Sequence, residues 1–388
     1  MKKILFVIDS LNVGGAEKSL ISLLNNIDIS KYQISLLILS LNNQLVRQLP
    51  KDIEIIPVPK IVIDLYKPWY SDFRNIKLSL KRINFTINNR INSNINSTNN
   101  ILYWKAFSPF FKKLHQTYHA AIGWGQGIPV LYIIDKIKAD KKIGWFNAEY
   151  PIEKKFRLQL NKYFKDLTYA VAVSDVLAKK LIFSHPFLEN KIKVIYDIID
   201  TDKILSLSNE KIQFIFPEDK IKILTIARLD KRKGLDLAIK TAQLLKEKLN
   251  FIWYVIGEGE ERSRLENKIH QYNLQDNFKL LGSIENPYPY LKNCDIYVQT
   301  SLTEGFCLTL AEAKLFNLPI VTTDFPTAFI QIKNGLNGMI VKKNQQEIAS
   351  KISLLIENKT LRQNLINSLS KEEKRTKEEI YKFYSIIN

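Results

Sequence analysis

From residue 221 onward, short apolar runs alternate with segments whose apolar positions recur every three or four residues. Runs 222–227, 251–256, 278–281, 295–299 and 319–322 predict buried strands. Segments 235–248, 260–272, 289–293 and 308–316 predict the helices between them. Alternation of this kind builds a parallel sheet covered on both faces, with ligands bound at the carboxyl ends of the strands. Three further helical patterns, 347–357, 361–369 and 372–387, close the chain. The first half repeats the theme less regularly. Strands are predicted at 3–9, 33–39, 53–58, 118–122, 141–147, 169–174 and 193–196, and a loop containing Gly14 and Gly15 feeds a helix with apolar positions Leu20, Leu23 and Leu24. The fold class is α/β, and the polar stretch 201–220 is predicted to link the two halves.

The polar residues that interrupt this pattern cluster at predicted strand ends. Arg228 and Lys233 follow the strand 222–227, with Gly234 opening the next helix. A guanidinium and an ammonium five residues apart in such a loop suit a diphosphate, although an isolated basic loop is also compatible with simple solvation. Glu304 and Glu312 lie eight positions apart across the junction of strand 295–299 and helix 308–316. The first amides of that helix, around Gly305, Phe306, Cys307 and Leu308, and its dipole favour an anion. The two carboxylates are placed to address different parts of one elongated ligand through its hydroxyls; taken alone they could equally be surface residues of a helix. Gly257 and Gly282 end the strands 251–256 and 278–281.

Composition narrows the class. The chain has 388 residues, 46% of them hydrophobic, which suits two domains rather than one core. Its two cysteines, Cys294 and Cys307, and its four histidines, His115, His119, His185 and His270, form neither a disulfide framework nor a metal-ligand spacing. A reducing cytoplasm is the expected compartment. The apolar run that begins at Ile4 stops at Asp9, too short for a secretion signal, and no stretch approaches the ~20 apolar residues that span a bilayer. Net charge is +18, and residues 60–117 carry ten Lys or Arg against Asp64 and Asp72. There the aromatics Tyr66, Trp69, Tyr70, Phe73, Phe85, Tyr103, Trp104, Phe107, Phe110 and Phe111 interleave with the basic residues around an Asn-rich tract at 84–100. This mixture fits an amphipathic surface on anionic lipid. A buried core carrying solubilising charges, or a nucleic-acid surface, would also produce it.

Taken together, Arg228 to Gly234, Gly257, Gly282 and the Glu304–Glu312 pair resemble the carboxyl-terminal half of the family 4 glycosyltransferases. These are retaining enzymes of the GT-B fold, two Rossmann-like doubly wound domains facing a central cleft. The resemblance covers residues 221–342 closely and the amino-terminal half more loosely. It implies domains at 1–200 and 201–370 and a final segment, 371–388, packed back on the first. It also implies transfer of a sugar from a nucleotide diphosphate sugar, UDP- or GDP-linked, to a glycan or lipid-linked acceptor of polysaccharide or lipopolysaccharide synthesis, at the inner face of the cytoplasmic membrane.

By the same resemblance Arg228 and Lys233 neutralise the diphosphate, helped by amides of residues 305–308, and no metal or other cofactor is required. Glu304 meets the donor sugar, Glu312 the ribose, and Gly257 and Gly282 the base. Gly14 and Gly15 form the loop that faces the donor phosphates, and Asn147 stands where the family often has a histidine. An amide can hydrogen-bond a hydroxyl but cannot act as a base near neutral pH. A nucleotide-sugar epimerase of the same fold, a glycosidase using Glu304 and Glu312 and a non-enzymatic binder of nucleic acid or anionic lipid are the rival readings. No nucleic acid is expected as a partner, because such a binder leaves the phosphate loop unexplained.

Overall fold

The computed structural model describes residues 1–40, 43–65, 79, 82, 85, 100–148, 154–212, 216–374, 376 and 378–388. These divide into two units, one made of residues 1–12, 16–196 and 378–388, the other of 13–15 and 197–377.

The first unit holds seven parallel strands in the order β3-β2-β1-β4-β5-β6-β7. They are β1 (Lys2–Ile8), β2 (Tyr32–Ile38), β3 (Glu54–Ile56), β4 (Thr117–Trp124), β5 (Lys138–Phe146), β6 (Tyr169–Ala172) and β7 (Ile192–Val194). Ile4 to Val7 of β1 are fully buried, as a strand covered on both faces requires. Trp124 and Trp145, register partners on β4 and β5, stack with ring centroids 4.3 Å apart.

The carboxyl-terminal helix Glu379–Ile387 belongs to this unit. Phe383 stacks on Phe6 at 6.1 Å, and Tyr384 stacks on Tyr32 at 5.7 Å. The Tyr384 hydroxyl accepts from the Asp28 amide, and His119 Nε2 lies 2.7 Å from the Ile387 carbonyl.

The basic, aromatic stretch departs from the lipid-surface expectation. Trp104, Phe107 and Phe111 are buried. Trp104 sits on the Asn100–Phe107 helix, packs edge-on against Tyr132 of the Ile128–Lys136 helix and donates its indole N–H to Asp135. Phe85, Tyr103 and Phe107 form a ring cluster with spacings of 4.6 to 5.8 Å. Trp104 and Phe107 are core because the Asn100–Phe107 helix that carries them packs on the Ile128–Lys136 helix. Tyr66, Trp69, Tyr70, Phe73 and most of the asparagine tract lie outside the described residues.

The second unit is a six-stranded parallel sheet in the order β10-β9-β8-β11-β12-β13. Its strands are β8 (Ile221–Ile226), β9 (Phe251–Ile256), β10 (Phe278–Gly282), β11 (Ile296–Gln299), β12 (Ile320–Thr323) and β13 (Met339–Val341). Helices including Leu235–Leu245, Arg262–Gln271 and Gln345–Glu357 contribute buried apolar faces to its core.

Three features differ from the sequence expectation. The predicted linker begins as a helix, Thr201–Leu207, because the Asp200 side chain caps the Lys203 amide and Ile204 is buried. β13 has three residues, too few to show a period. The units divide at 196 and 377 rather than 200 and 370: the Tyr196 amide bonds to Glu379 in the first unit, and the Ile199 amide bonds to Thr376 in the second.

Two buried rings of the first unit should report on its stability. Phe383→Ala removes a fully buried ring and is expected to cost about 3–5 kcal/mol, read as a lowered urea midpoint for this unit. His185 is also fully buried, with Nδ1 2.5 Å from Asn161 Oδ1. Burial, then the Arg157 charge, lowers it to about 4. The folded state therefore holds a neutral ring where the unfolded chain takes up a proton below pH ~6.5. This contribution is complete above that pH and fades as the pH falls towards 4, a loss of about 2–3 kcal/mol. A His185 ring that becomes protonated by pH 6 in NMR would contradict it.

Candidate functional site

The site is built where β8 and β11, neighbours in the sheet, end side by side. After β8 the chain runs through Arg228 and Leu229 to Asp230, whose carboxylate accepts from the Arg232 amide at 2.9 Å and starts the short turn Lys231–Lys233. Gly234 follows in the left-handed region (φ 62°), and a Cβ there would lie 2.1 Å from the Thr300 carbonyl oxygen. Only glycine lets the basic turn press so closely against the end of β11. Two further bonds hold it there: the Thr300 hydroxyl donates to the Lys233 carbonyl at 3.0 Å, and the Leu302 amide to the Arg232 carbonyl at 2.7 Å.

This docking carries the Lys233 ammonium onto the Glu304 carboxylate, 2.8 Å from Oε1 and 2.7 Å from Oε2. Both side chains are largely buried. Oε1 also accepts from the Ser301 hydroxyl at 2.6 Å and from Gln299 Nε2 at 3.4 Å. Every one of these neighbours donates, so Glu304 works as an acceptor. Among the described residues Oε2 accepts only from Lys233, and Lys233 has one N–H left of its three. One acceptor position and one charged donor therefore stand side by side. The loop beneath is fixed by buried threonines: Thr323 donates to the Ser301 carbonyl at 2.6 Å and Thr327 to the Glu304 carbonyl at 3.3 Å.

The helix Leu308–Leu315 begins next. Its N-cap, Cys307, takes a left-handed conformation (φ 71°), and its side chain makes no cap to the first amides. Burial pushes the Cys307 thiol up, and it stays a neutral packing group. Gln331 Nε2 donates to the carbonyls of Phe306 (2.5 Å) and Cys307 (3.3 Å). In a trans peptide the N–H points opposite to the C=O, so the amides of Cys307 and Leu308 are directed away from Gln331. Uncapped helix amides with fixed direction form an anion site in principle.

Arg228 is exposed at the end of β8 and makes no ion pair among the described residues. Glu312 is buried on the Leu308–Leu315 helix and accepts from the Tyr288 hydroxyl at 3.1 Å. Gly257 donates its amide to the Gly282 carbonyl at 2.8 Å, and a Cβ on Gly257 would lie 2.0 Å from the Ala227 carbonyl oxygen. The approach of β8 thus demands glycine there whatever it binds. Gly14 and Gly15 count with the second unit, Gly15 exposed and opening the helix Gly15–Asn26. Asn147 is half-buried at the end of β5, in the first unit, and its backbone amide donates to Gln126 Oε1. Among the described residues no three His, Cys, Asp or Glu side chains gather as metal ligands.

Sequence reasoning missed Gln299, Ser301, Gln331 and Tyr288. For the first two there was a signal: the apolar run of β11 turns polar at Gln299, Thr300 and Ser301, although all three remain buried.

Residues 208–372 match the family described as glycosyl transferases group 1. The chain is 33% identical over 214 residues to an uncharacterized glycosyltransferase of Methanocaldococcus jannaschii, covering 52% of this chain and 53% of that one. It is 28% identical over 208 residues to the capsular polysaccharide biosynthesis glycosyltransferase CapM of Staphylococcus aureus, covering 51% and 54%. The chain thus spans about half the length of these relatives. Among solved structures it is similar to the Anabaena protein HepE in complex with UDP and glucose, with a TM-score of 0.72 and 17% identity over 99% of this chain and 100% of that one. That likeness establishes the fold as GT-B, with two Rossmann-like parallel-sheet domains.

Removing one member of a buried pair leaves its partner uncompensated. Lys233→Met is therefore expected to destabilise more in the presence of Glu304 than beside Glu304→Gln, with a coupling of about 1–2 kcal/mol. Additive losses in a double-mutant cycle of urea midpoints would contradict the pairing.

Proposed function

We propose that this chain transfers a sugar from a nucleotide diphosphate sugar to a glycan or lipid-linked acceptor, with retention at the anomeric carbon, in the synthesis of a surface polysaccharide or lipopolysaccharide. The observation that carries the proposal is the Lys233–Glu304 pair beside the uncapped Leu308–Leu315 helix, inside the segment that matches the glycosyltransferase group. A sugar joined to a diphosphate offers hydroxyls and phosphate oxygens side by side, and the pair offers an acceptor and a charged donor side by side.

In this reading Lys233 and Arg228 neutralise the departing diphosphate, together with the amides of residues 305–308. Charge developed on the leaving group is met by donors already in place, and such preorganised stabilisation usually lowers the barrier more than any other effect. Glu304 Oε2 accepts a hydroxyl of the donor sugar or stabilises the positive charge that develops at its anomeric carbon. Glu312 accepts ribose hydroxyls, and the backbone at Gly257 and Gly282 meets the base. The donor is UDP- or GDP-linked, with UDP favoured by the likeness to HepE. The cationic side chains carry the charge that a metal would otherwise neutralise.

A glycosidase needs two carboxyl groups facing one glycosidic bond. Here both oxygens of Glu304 are engaged by the Lys233 ammonium. We place the enzyme at the cytoplasmic membrane face. No helix among the described residues is long and apolar enough to cross a membrane. The basic side chains of residues 60–117, apart from Arg82, which is buried and donates to the Leu65 carbonyl, supply the attraction to anionic lipid in this reading, while Trp104, Phe107 and Phe111 are core.

A panel of UDP, GDP, ADP and CMP is expected to single out one nucleotide, UDP first, that raises the melting temperature, by about 2.7 kcal/mol of stabilisation at a hundredfold excess over its Kd. Flat curves for all four would oppose the proposal. Glu304→Gln and Lys233→Ala should each remain folded and lower sugar transfer about 10²-fold or more; near-normal transfer in both would refute the assignment.

A further inference from the structure

Beneath Glu304 lies a directional chain of buried polar side chains that the proposed roles leave unused. The Tyr297 hydroxyl donates to Gln299 Oε1 at 2.6 Å, with Thr309 adding a second, longer bond at 3.4 Å. Gln299 Nε2 donates to Ser301 Oγ at 2.7 Å, and Ser301 donates to Glu304 Oε1 at 2.6 Å. Tyr297, Gln299 and Ser301 are each 1% exposed or less. Buried polar groups are costly unless they are hydrogen-bonded, so such a chain persists only when its members satisfy one another.

The direction of the chain matters. Two hydroxyl donors on Gln299 Oε1 set the amide so that its NH2 faces Ser301. Ser301 then accepts from that NH2, and its single hydrogen goes to Glu304. With the amide turned over, the serine hydrogen would go to the glutamine carbonyl and Glu304 would lose its shortest neutral bond. Oε1 accepts from Lys233, Ser301 and Gln299, whereas Oε2 accepts among the described residues only from Lys233.

We infer that Tyr297, Gln299 and Ser301 are positioning residues that occupy Oε1 of Glu304 and so present Oε2 to the hydroxyl of the bound sugar. This rests on the reading of Glu304 as the group that meets the donor sugar. The three act through the carboxylate and touch no substrate. Loss of the relay should therefore affect turnover more than binding of the nucleotide, which the cationic loop and the helix amides hold.

The test uses the full chain and three probes, UDP-glucose, UDP-N-acetylglucosamine and GDP-mannose, with turnover read as release of the nucleoside diphosphate. Ser301→Ala is expected to lower kcat about 10- to 100-fold while affinity for UDP or GDP alone stays within about twofold. Ser301→Thr, which keeps the hydroxyl, should recover most of the loss. Gln299→Leu should resemble Ser301→Ala. The double variant Ser301→Ala/Glu304→Gln should be no slower than Glu304→Gln alone, because both remove the function of one carboxylate. Normal turnover in Ser301→Ala, or losses that multiply in the double variant, would overturn the relay. Normal turnover in Glu304→Gln would instead overturn the underlying role of Glu304. If none of the three sugars is turned over, the same cycle is read in melting temperature, where shifts that simply add would overturn the relay.

Discussion

The close approach of the Lys231–Gly234 turn to the end of β11 is the constraint on which the candidate site depends. A backbone carbonyl, that of Thr300, lies where any side chain at residue 234 would begin. Two hydrogen bonds from the 300–302 segment then fix the turn in register. The lysine reaches its glutamate as a result of that docking. A flexible basic loop would lose side-chain and backbone freedom at the moment a ligand bound; here most of that ordering is done when the sheet folds.

The same economy appears around Glu304. Polar groups from three strands converge there: Gln299 and Ser301 at the end of β11, Thr323 on β12, and Lys233 after β8. None would be tolerated singly in so dry a place, and together they leave little unsatisfied. An accepting carboxylate with one oxygen still open to a hydroxyl suits recognition of sugars. Glu312, inside the Leu308–Leu315 helix, is held differently, by a buried tyrosine hydroxyl. Two glutamates that look alike in the sequence thus have different surroundings.

The amino-terminal unit illustrates how composition can mislead. Rings mixed with lysines read as an interfacial surface, yet Trp104, Phe107 and Phe111 fill the space between helices. Amphipathic packing against a neighbour and amphipathic contact with lipid have the same periodicity; only the presence of the neighbour separates them. The carboxyl-terminal helix makes the same point. Ile380, Phe383, Ile386 and Ile387 are its buried face, and the aromatic surfaces of β1 and β2 are what it covers.

What could be read from the sequence was local. Apolar runs marked most of the strands, glycines and caps marked the turns, and the chemistry-bearing residues Arg228, Lys233 and Glu304 stood out because they interrupt those runs at strand ends. The helix hidden in the polar stretch after Asp200 and the three-residue β13 were missed because charge and brevity erase periodicity. Tertiary structure alone decided partnership. β8 and β11 are neighbours in the sheet although β9 and β10 separate them in the chain. That strand order brings the loop after β8 beside the end of β11, where the docking at Gly234 sets Lys233 on Glu304 and where Gln299 and Ser301 support it from below. A period along the chain reports which side of an element is buried; it carries no information about which distant element lies against that side.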